Sequence, residues 1–202
     1  MEGFKSKWRR LLNKHRLVGY IGCVGSGKDY NANKLVYEKG FIRYSFADPL
    51  RLLLSMIFGK EIIYEKYNKF KHSTIVLGLF WKVLSGRDIL QKLGDGIRTI
   101  FGNDIFIDVI DRKIEFVPSQ AAGVVIPDVR YVNEAEYVIQ MGGELIFCNY
   151  ISDRYDCTSK HKSEQLAQTF IAMGFSDGEK ITIDDLRTAS SLIKELKIES
   201  GS

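Results

Sequence analysis

Residues 22–30 read GCVGSGKDY, between the apolar run RLVGYI at 16–21 and the helix-like NANKLVYEKG at 31–40. Gly22, four further residues, then Gly27 and Lys28 follow an expected strand and open an expected helix. That order has a physical use. Glycines let the backbone curl so that successive N–H groups point inward at an anion. The helix N-terminus adds partial positive charge, and a lysine at this spacing reaches terminal phosphates. Gly22, Gly25, Ser26, Gly27 and Lys28 therefore read as a phosphate-binding loop. A dinucleotide-binding reading is weaker, because GSGKDY lacks the third glycine of that fingerprint. Asp29 is the awkward residue, since serine or threonine normally stands there to give magnesium a hydroxyl. A carboxylate is also a hard oxygen donor, so Asp29 fits a magnesium-nucleotide site. The competing reading is a helix N-terminal Asp placed for capping and dipole reasons.

Outward from the loop, strands and helices alternate. FIRYSFA (41–47) is a second expected strand, GVVIPD (123–128) a third, ELIFCN (144–149) a fourth and EKITID (179–184) a fifth, with a final helix from Asp185 to about Lys197. Alternation predicts an α/β fold with a parallel sheet covered on both faces, and ligands at the carboxyl ends of its strands. Three charged motifs fall there: the loop, ADPLR at 47–51 and DVR at 128–130. Residues 50–117 read as mostly helical, with the Lys- and Tyr-rich portion 59–86 as an inserted subdomain.

Composition sets bounds. A chain of 202 residues with 45% hydrophobic and 27% charged residues is ordinary for one globular domain with a sizeable core. The net charge of +4 comes largely from a basic N-terminus, MEGFKSKWRRLLNKHR, so stable nucleic-acid binding by the body is not expected. In that stretch Trp8, Leu11, Leu12 and His15 fall at helical spacing, giving a basic amphipathic helix over 1–16. It reads as docked with its charges in water, with a membrane or nucleic-acid arm as the alternative. No apolar run reaches the eighteen or so residues of a bilayer span, and no secretion signal is recognisable. Cys23, Cys148 and Cys157 lack metal-ligand spacing, and two of them sit in apolar, strand-like surroundings that read as reduced buried thiols, so the cytoplasm is the expected compartment.

Several motifs together resemble the bacteriophage deoxynucleoside monophosphate kinase family. They are SGKDY, FADPL (46–50), RDILQKLGDGIR (87–98), DVRYVNEAE (128–136), GGELIFCN (142–149) and HKSE (161–164), in family order over about residues 17–198. Departures are Tyr30 for the usual Thr, Phe106 where Trp is frequent, and Val132 for a common Pro. The resemblance implies a three-layer αβα P-loop fold with a five-stranded, mostly parallel sheet and a helical acceptor-binding insertion at about 50–117, residues 199–202 being a tail. It implies ATP and Mg2+ as cofactors, a deoxynucleoside monophosphate as acceptor, no membrane, and a possible homodimer. Lys28, Asp128 and Arg130 become the catalytic candidates, and Asp29 and Asp128 the metal candidates. Gly22, Gly25, Ser26, Gly27, Lys28, Asp29, Tyr30 and Arg154 would hold ATP. Asp48, Arg51, Arg87, Gln91, Arg98, Arg130, Asn133 and Glu134 would meet the acceptor. Capping is the rival role for Asp48, Asn133 and Glu134, and a structural role is preferred for His161, Ser163 and Glu164. Two other activities remain open at this point: a P-loop kinase of a small non-nucleotide phosphorylated metabolite, and an ATPase without transfer. The Arg87–Gln91 helix argues against the first, because a base-reading amide is wasted on such a substrate.

Overall fold

The computed structural model describes residues 16–59, 74–77, 82–151, 155–159 and 161–199. The expected N-terminal helix, Arg154, the C-terminal tail beyond 199 and most of 59–86 lie outside the described residues. The chain divides into two compact units, Met1–Ser45 with Ile110–Ser202, and Phe46–Val109.

The first unit holds a five-stranded sheet of β1 (Arg16–Ile21), β2 (Phe41–Arg43), β5 (Gly123–Ile126), β6 (Glu144–Phe147) and β7 (Lys180–Ile181), in the spatial order β2-β5-β1-β6-β7. The first four strands run parallel, and β7 pairs antiparallel with β6. This matches the expected α/β class and five-stranded, mostly parallel sheet, and is compatible with a P-loop kinase fold.

Helix α1 (Lys28–Lys39) carries the chain from β1 towards β2, and α5 (Val132–Gln140) carries it from β5 towards β6. Both faces of the sheet are therefore apolar, as parallel strands require. Val18, Tyr20, Phe41 and Val125 pack with Ala32, Leu35 and Val36 of α1. On the other side Gly19 is closely packed, and an added Cβ would lie 3.0–3.2 Å from Leu145, Val129 and Val138, which would have to give way slightly. Helices α6 (Lys162–Ala172) and α7 (Ile183–Glu199) pack on each other, and α7 also meets α5. Phe170 of α6 forms an aromatic cluster with Phe147 and Phe175, with ring centroids 4.9–6.1 Å apart.

Cys148 is a buried free thiol, as two of the three cysteines were expected to be, but Cys23 is instead paired with Cys157. The segment around 156 returns against the loop through an antiparallel bridge of Val24 with Asp156. This brings the two Cα atoms to 5.2 Å, within disulfide range. A sequence separation of 134 hides such a meeting from any reading of spacing.

The second unit contains α2 (Asp48–Phe58), the hairpin β3 (Thr74–Leu77) and β4 (Lys82–Ser85), and α3 (Gly86–Phe101). Helix α4 (Ile105–Ile114) crosses the boundary between the units. The antiparallel hairpin, registered Thr74↔Ser85 to Leu77↔Lys82, departs from the mostly helical expectation. TIVL and KVLS carry the β-branched residues that favour extended backbone. Ser85 then caps α3 in a reciprocal box with Asp88, and the two bonds from Ser85 hold the Asp88 carboxyl below its ordinary value.

Candidate active site

Strand β1 feeds α1, which leads to one edge of the sheet, whereas the adjacent β5 feeds α5, which leads back across β1. Adjacent strands whose connections diverge make a switch point, and their carboxyl ends frame a crevice. The glycine loop leaves β1 there, and Asp128 to Arg130 leave β5 there.

The loop's shape follows from its glycines. Gly25 and Gly27 have φ of 77° and 87°, the left-handed region costly for other residues. Gly22 is required for a different reason: an added Cβ would sit 2.2 Å from the Cys148 carbonyl oxygen and 2.4 Å from Ser26 Oγ. Lys28 opens α1 and folds back into this curl. Its ammonium donates to the Gly22 carbonyl at 2.6 Å, to the Cys23 carbonyl and, at 3.4 Å, to Ser26 Oγ. Burial, and next the nearby Arg130, lower the Lys28 pKa to about 8.

Beyond β5, Asp128 accepts a hydrogen bond from Ser45 Oγ. Arg130 donates through Nη1 to Glu164 and, at 3.5 Å, to Ser163 Oγ. Glu164 leads the neighbouring carboxylates, with Asp128 and Glu134, that outweigh the desolvation of Arg130 and raise its pKa. The sequence reading groups Glu134 with the acceptor contacts. The structure instead buries it to 2% exposure, with its carboxylate accepting from the backbone N–H of Arg130 and of Tyr131. It caps α5, the rival role weighed for it, and so fixes the turn on which Arg130 stands. Asn133 is half-buried in the same first turn.

Asp29 is exposed and pairs with Arg43, whose other Nη donates to Asn33 Oδ1 at 2.7 Å. Tyr30 is 73% exposed. His161 caps α6, its Nδ1 accepting from the Ser163 N–H at 3.2 Å. Among the described residues no group of three or more His, Cys, Asp or Glu side chains is placed to hold a metal ion. Magnesium usually keeps waters and is held by one or two carboxylates together with substrate phosphates, so such a cage is not its typical form.

Within Phe46–Val109, Asp48 pairs with Arg51 at 3.0 Å across one turn of α2. Arg98 of α3 lies 4.5 Å above the ring of buried Phe106. Gly94 is buried on α3 and faces Leu50 of α2. Arg87 and Gln91 are half-buried on the same helix.

Sequence reasoning missed Ser45 and undervalued Glu164. The signal for Ser45 was its place immediately before FADPL, just past the end of β2. Glu164 falls in the HKSE segment, but its meeting with Arg130, 34 residues away, has no local signal.

Two cations at the carboxyl switch point of a mostly parallel sheet are the arrangement of an anion-handling α/β protein. Over 138 residues the chain is 33% identical to a protein of Acanthamoeba polyphaga mimivirus described as "Putative deoxynucleotide monophosphate kinase", covering 64% of this chain and 72% of that one. The chain belongs to the same kinase family as this viral protein. No model of a known protein family matches it.

Proposed function

We propose that the chain is an ATP-dependent kinase that converts deoxynucleoside monophosphates to diphosphates. The observation that carries this is the pairing at one switch point of Lys28, buried in a left-handed glycine curl, with Arg130 at the end of the adjacent strand. The substrate class follows the name of the mimivirus relative and the motifs at 46–50 and 87–98.

In this reading the curl and the start of α1 cradle the β- and γ-phosphates of ATP, as a P-loop does. Lys28 exchanges loop carbonyls for phosphate oxygens. An oxygen of the acceptor's phosphate attacks Pγ, and the bond from Pγ to the β,γ-bridging oxygen breaks. ADP leaves with that electron pair. The attacking oxygen is already anionic, so no general base is needed, and the work is positioning and electrostatic. Arg130 offers a planar fork to the transferred group. Magnesium arriving with ATP supplies further neutralisation of phosphate charge. Asp128 fits it as a hard oxygen donor at the strand end, and Asp29 is the second candidate. In the other unit, Arg51 and Arg98 are assigned to the acceptor's phosphate, and Arg87 and Gln91 to its nucleoside, with Asn133 assisting from α5.

The test is phosphotransfer from magnesium-ATP to a panel of deoxy- and ribonucleoside monophosphates. The expected result is diphosphate formed from deoxynucleotides. ATP hydrolysis with no diphosphate from any acceptor overturns the proposal.

A further inference from the structure

Resting on the assignment of Lys28 and Arg130 to phosphate, we propose that Glu164 is a positioning residue, whose carboxylate sets the direction of the Arg130 guanidinium and balances the two cations of the site. Glu164 is 2% exposed, in the first turn of α6. It is 34 residues from Arg130, so the contact between them is made by the fold rather than by local sequence. Its place is fixed from behind. His161 caps the helix, its ring lies 2.9 Å from Ser163 Oγ, and the Glu164 N–H donates to the His161 carbonyl at 2.9 Å.

The geometry distinguishes this from a plain structural ion pair. A guanidinium carries N–H donors along two edges. Among the described residues the contacts of the Arg130 guanidinium are all made through Nη1, to Glu164 and Ser163, while its side chain stays 31% exposed. One edge is anchored, and the remainder is left to meet an anion. Glu164 does not face that edge itself, where its charge would repel phosphate.

Electrostatics gives Glu164 a second task. Lys28 and Arg130 repel each other, and the Glu164 carboxylate favours the charged form of both. Two cations can then be held close before any phosphate arrives. When phosphate binds, the carboxylate keeps Arg130 from swinging after its new partner. A displacement of about 1 Å in such a contact can cost on the order of a hundredfold in rate.

The experiment is a double-mutant cycle in the full chain between Glu164→Gln, which keeps shape and one acceptor but removes the charge, and Arg130→Met. Circular dichroism establishes the temperature at which all variants are folded. The expected result is a fall of roughly ten- to a hundredfold in kcat for E164Q, with KM for ATP changed much less. In the R130M background the same substitution should change kcat less than twofold, because Glu164 acts through Arg130. Parent-like kcat in E164Q overturns the proposal, as does an equal loss in both backgrounds, which is what a merely structural role gives. Should E164Q fail to fold, Glu164→Asp, which keeps the charge but withdraws it by one methylene, enters the cycle with the same deciding results. If the parent transfers phosphate to no nucleotide, the function proposed above fails separately. The cycle is then read on binding of inorganic tripolyphosphate by calorimetry, where additive losses overturn the positioning role and non-additive losses uphold it.

Discussion

The loop after β1 and the turn after β5 hold one cation each, and they hold it by opposite means. Lys28 is enclosed by neutral carbonyls and a hydroxyl, so burial dominates and its pKa drops to about 8. Arg130 sits among the carboxylates of Glu164, Asp128 and Glu134, and its pKa rises. A lysine ammonium is compact and its charge is negotiable, whereas a guanidinium keeps its proton under any environment a protein provides. The two regions thus separate two demands on the proposed phosphate site. One cation is poised, costly to keep charged until an anion arrives. The other is permanently charged and needs anchoring rather than protonation.

The largest effect expected from breaking this pair is on rate at Lys28. Lys28→Ala leaves behind carbonyls and a hydroxyl that loop N–H groups or water can satisfy, so the fold should survive with its thermal midpoint little changed. Turnover should fall by about 10²–10³, the usual worth of a preorganised electrostatic contact. Near-parental turnover would remove the loop from the proposed mechanism. Arg130→Met reverses the balance between rate and stability. It leaves Glu164, 3% exposed at its side chain, without the ion pair that accompanies its burial. Breaking a buried pair costs about 3–5 kcal/mol. Because about a third of the Arg130 side chain meets solvent (31%), a loss of about 1–3 kcal/mol is expected once screening is allowed for. Urea unfolding of the two variants side by side measures the contrast, and equal losses would erase it.

A smaller effect sharpens the same contrast through pH. With a folded-state pKa of about 8 against an ordinary 10.5, the unfolded chain binds more protons at Lys28 between those values. The Lys28 contribution to stability therefore rises with pH across that window, and its desolvation penalty is fully present below it. Function moves the other way, since nucleotide-free protein loses the cation above pH 8. The profile of kcat/KM for ATP, which reports the free protein, should bend downward near pH 8. The kcat profile should bend at higher pH, because bound phosphates favour the charged lysine. Lys28→Arg should abolish the bend whatever its absolute rate. Coincident limbs in kcat and kcat/KM would contradict this account.

What the sequence made legible was local. GCVGSGKDY announces its turn because the left-handed angles at Gly25 and Gly27 and the need for a bare Cα at Gly22 are met by the residues that must adopt them. RLVGYI and GVVI announce buried parallel strands because both faces of each are apolar. Asp128 and Arg130 became candidates because strand ends can be read from where an apolar run stops. Illegible features depend on topology. The partnership of Arg130 with Glu164, that of Ser45 with Asp128 and the meeting of Cys23 with Cys157 are decided by which helix or returning segment lies beside which strand end. Glu134 stayed ambiguous for a related reason. An acid three residues after Tyr131 serves equally as a cap or a ligand contact on paper, and only its burial separates the two. The hairpin at 74–85 was lost in a Tyr- and Lys-rich stretch whose short β-branched runs are no longer than a helical turn or so.

The smallest expected effect concerns Asp29, which stands beside the poised cation yet behaves like neither. Its side chain is 76% exposed and its partner is Arg43, itself tied to Asn33. An ion pair so open to water is worth about 0–1 kcal/mol, so neither Asp29→Ala nor Arg43→Ala should alter stability much. The two substitutions separate on magnesium. If Asp29 helps to hold a hydrated ion against the phosphates, D29A raises the magnesium concentration for half-maximal rate by up to about tenfold, the lower end of what supporting groups around a metal contribute. R43A, which leaves that carboxylate without its competing cation, should lower the requirement or leave it alone. A magnesium titration of D29A that overlays the parent would instead make Asp29 a companion of Arg43 and of the α1 dipole. The metal would then be left to Asp128 and the nucleotide, and the contrast between the two strand ends would become sharper still: cation handling after β1, cation and metal together after β5.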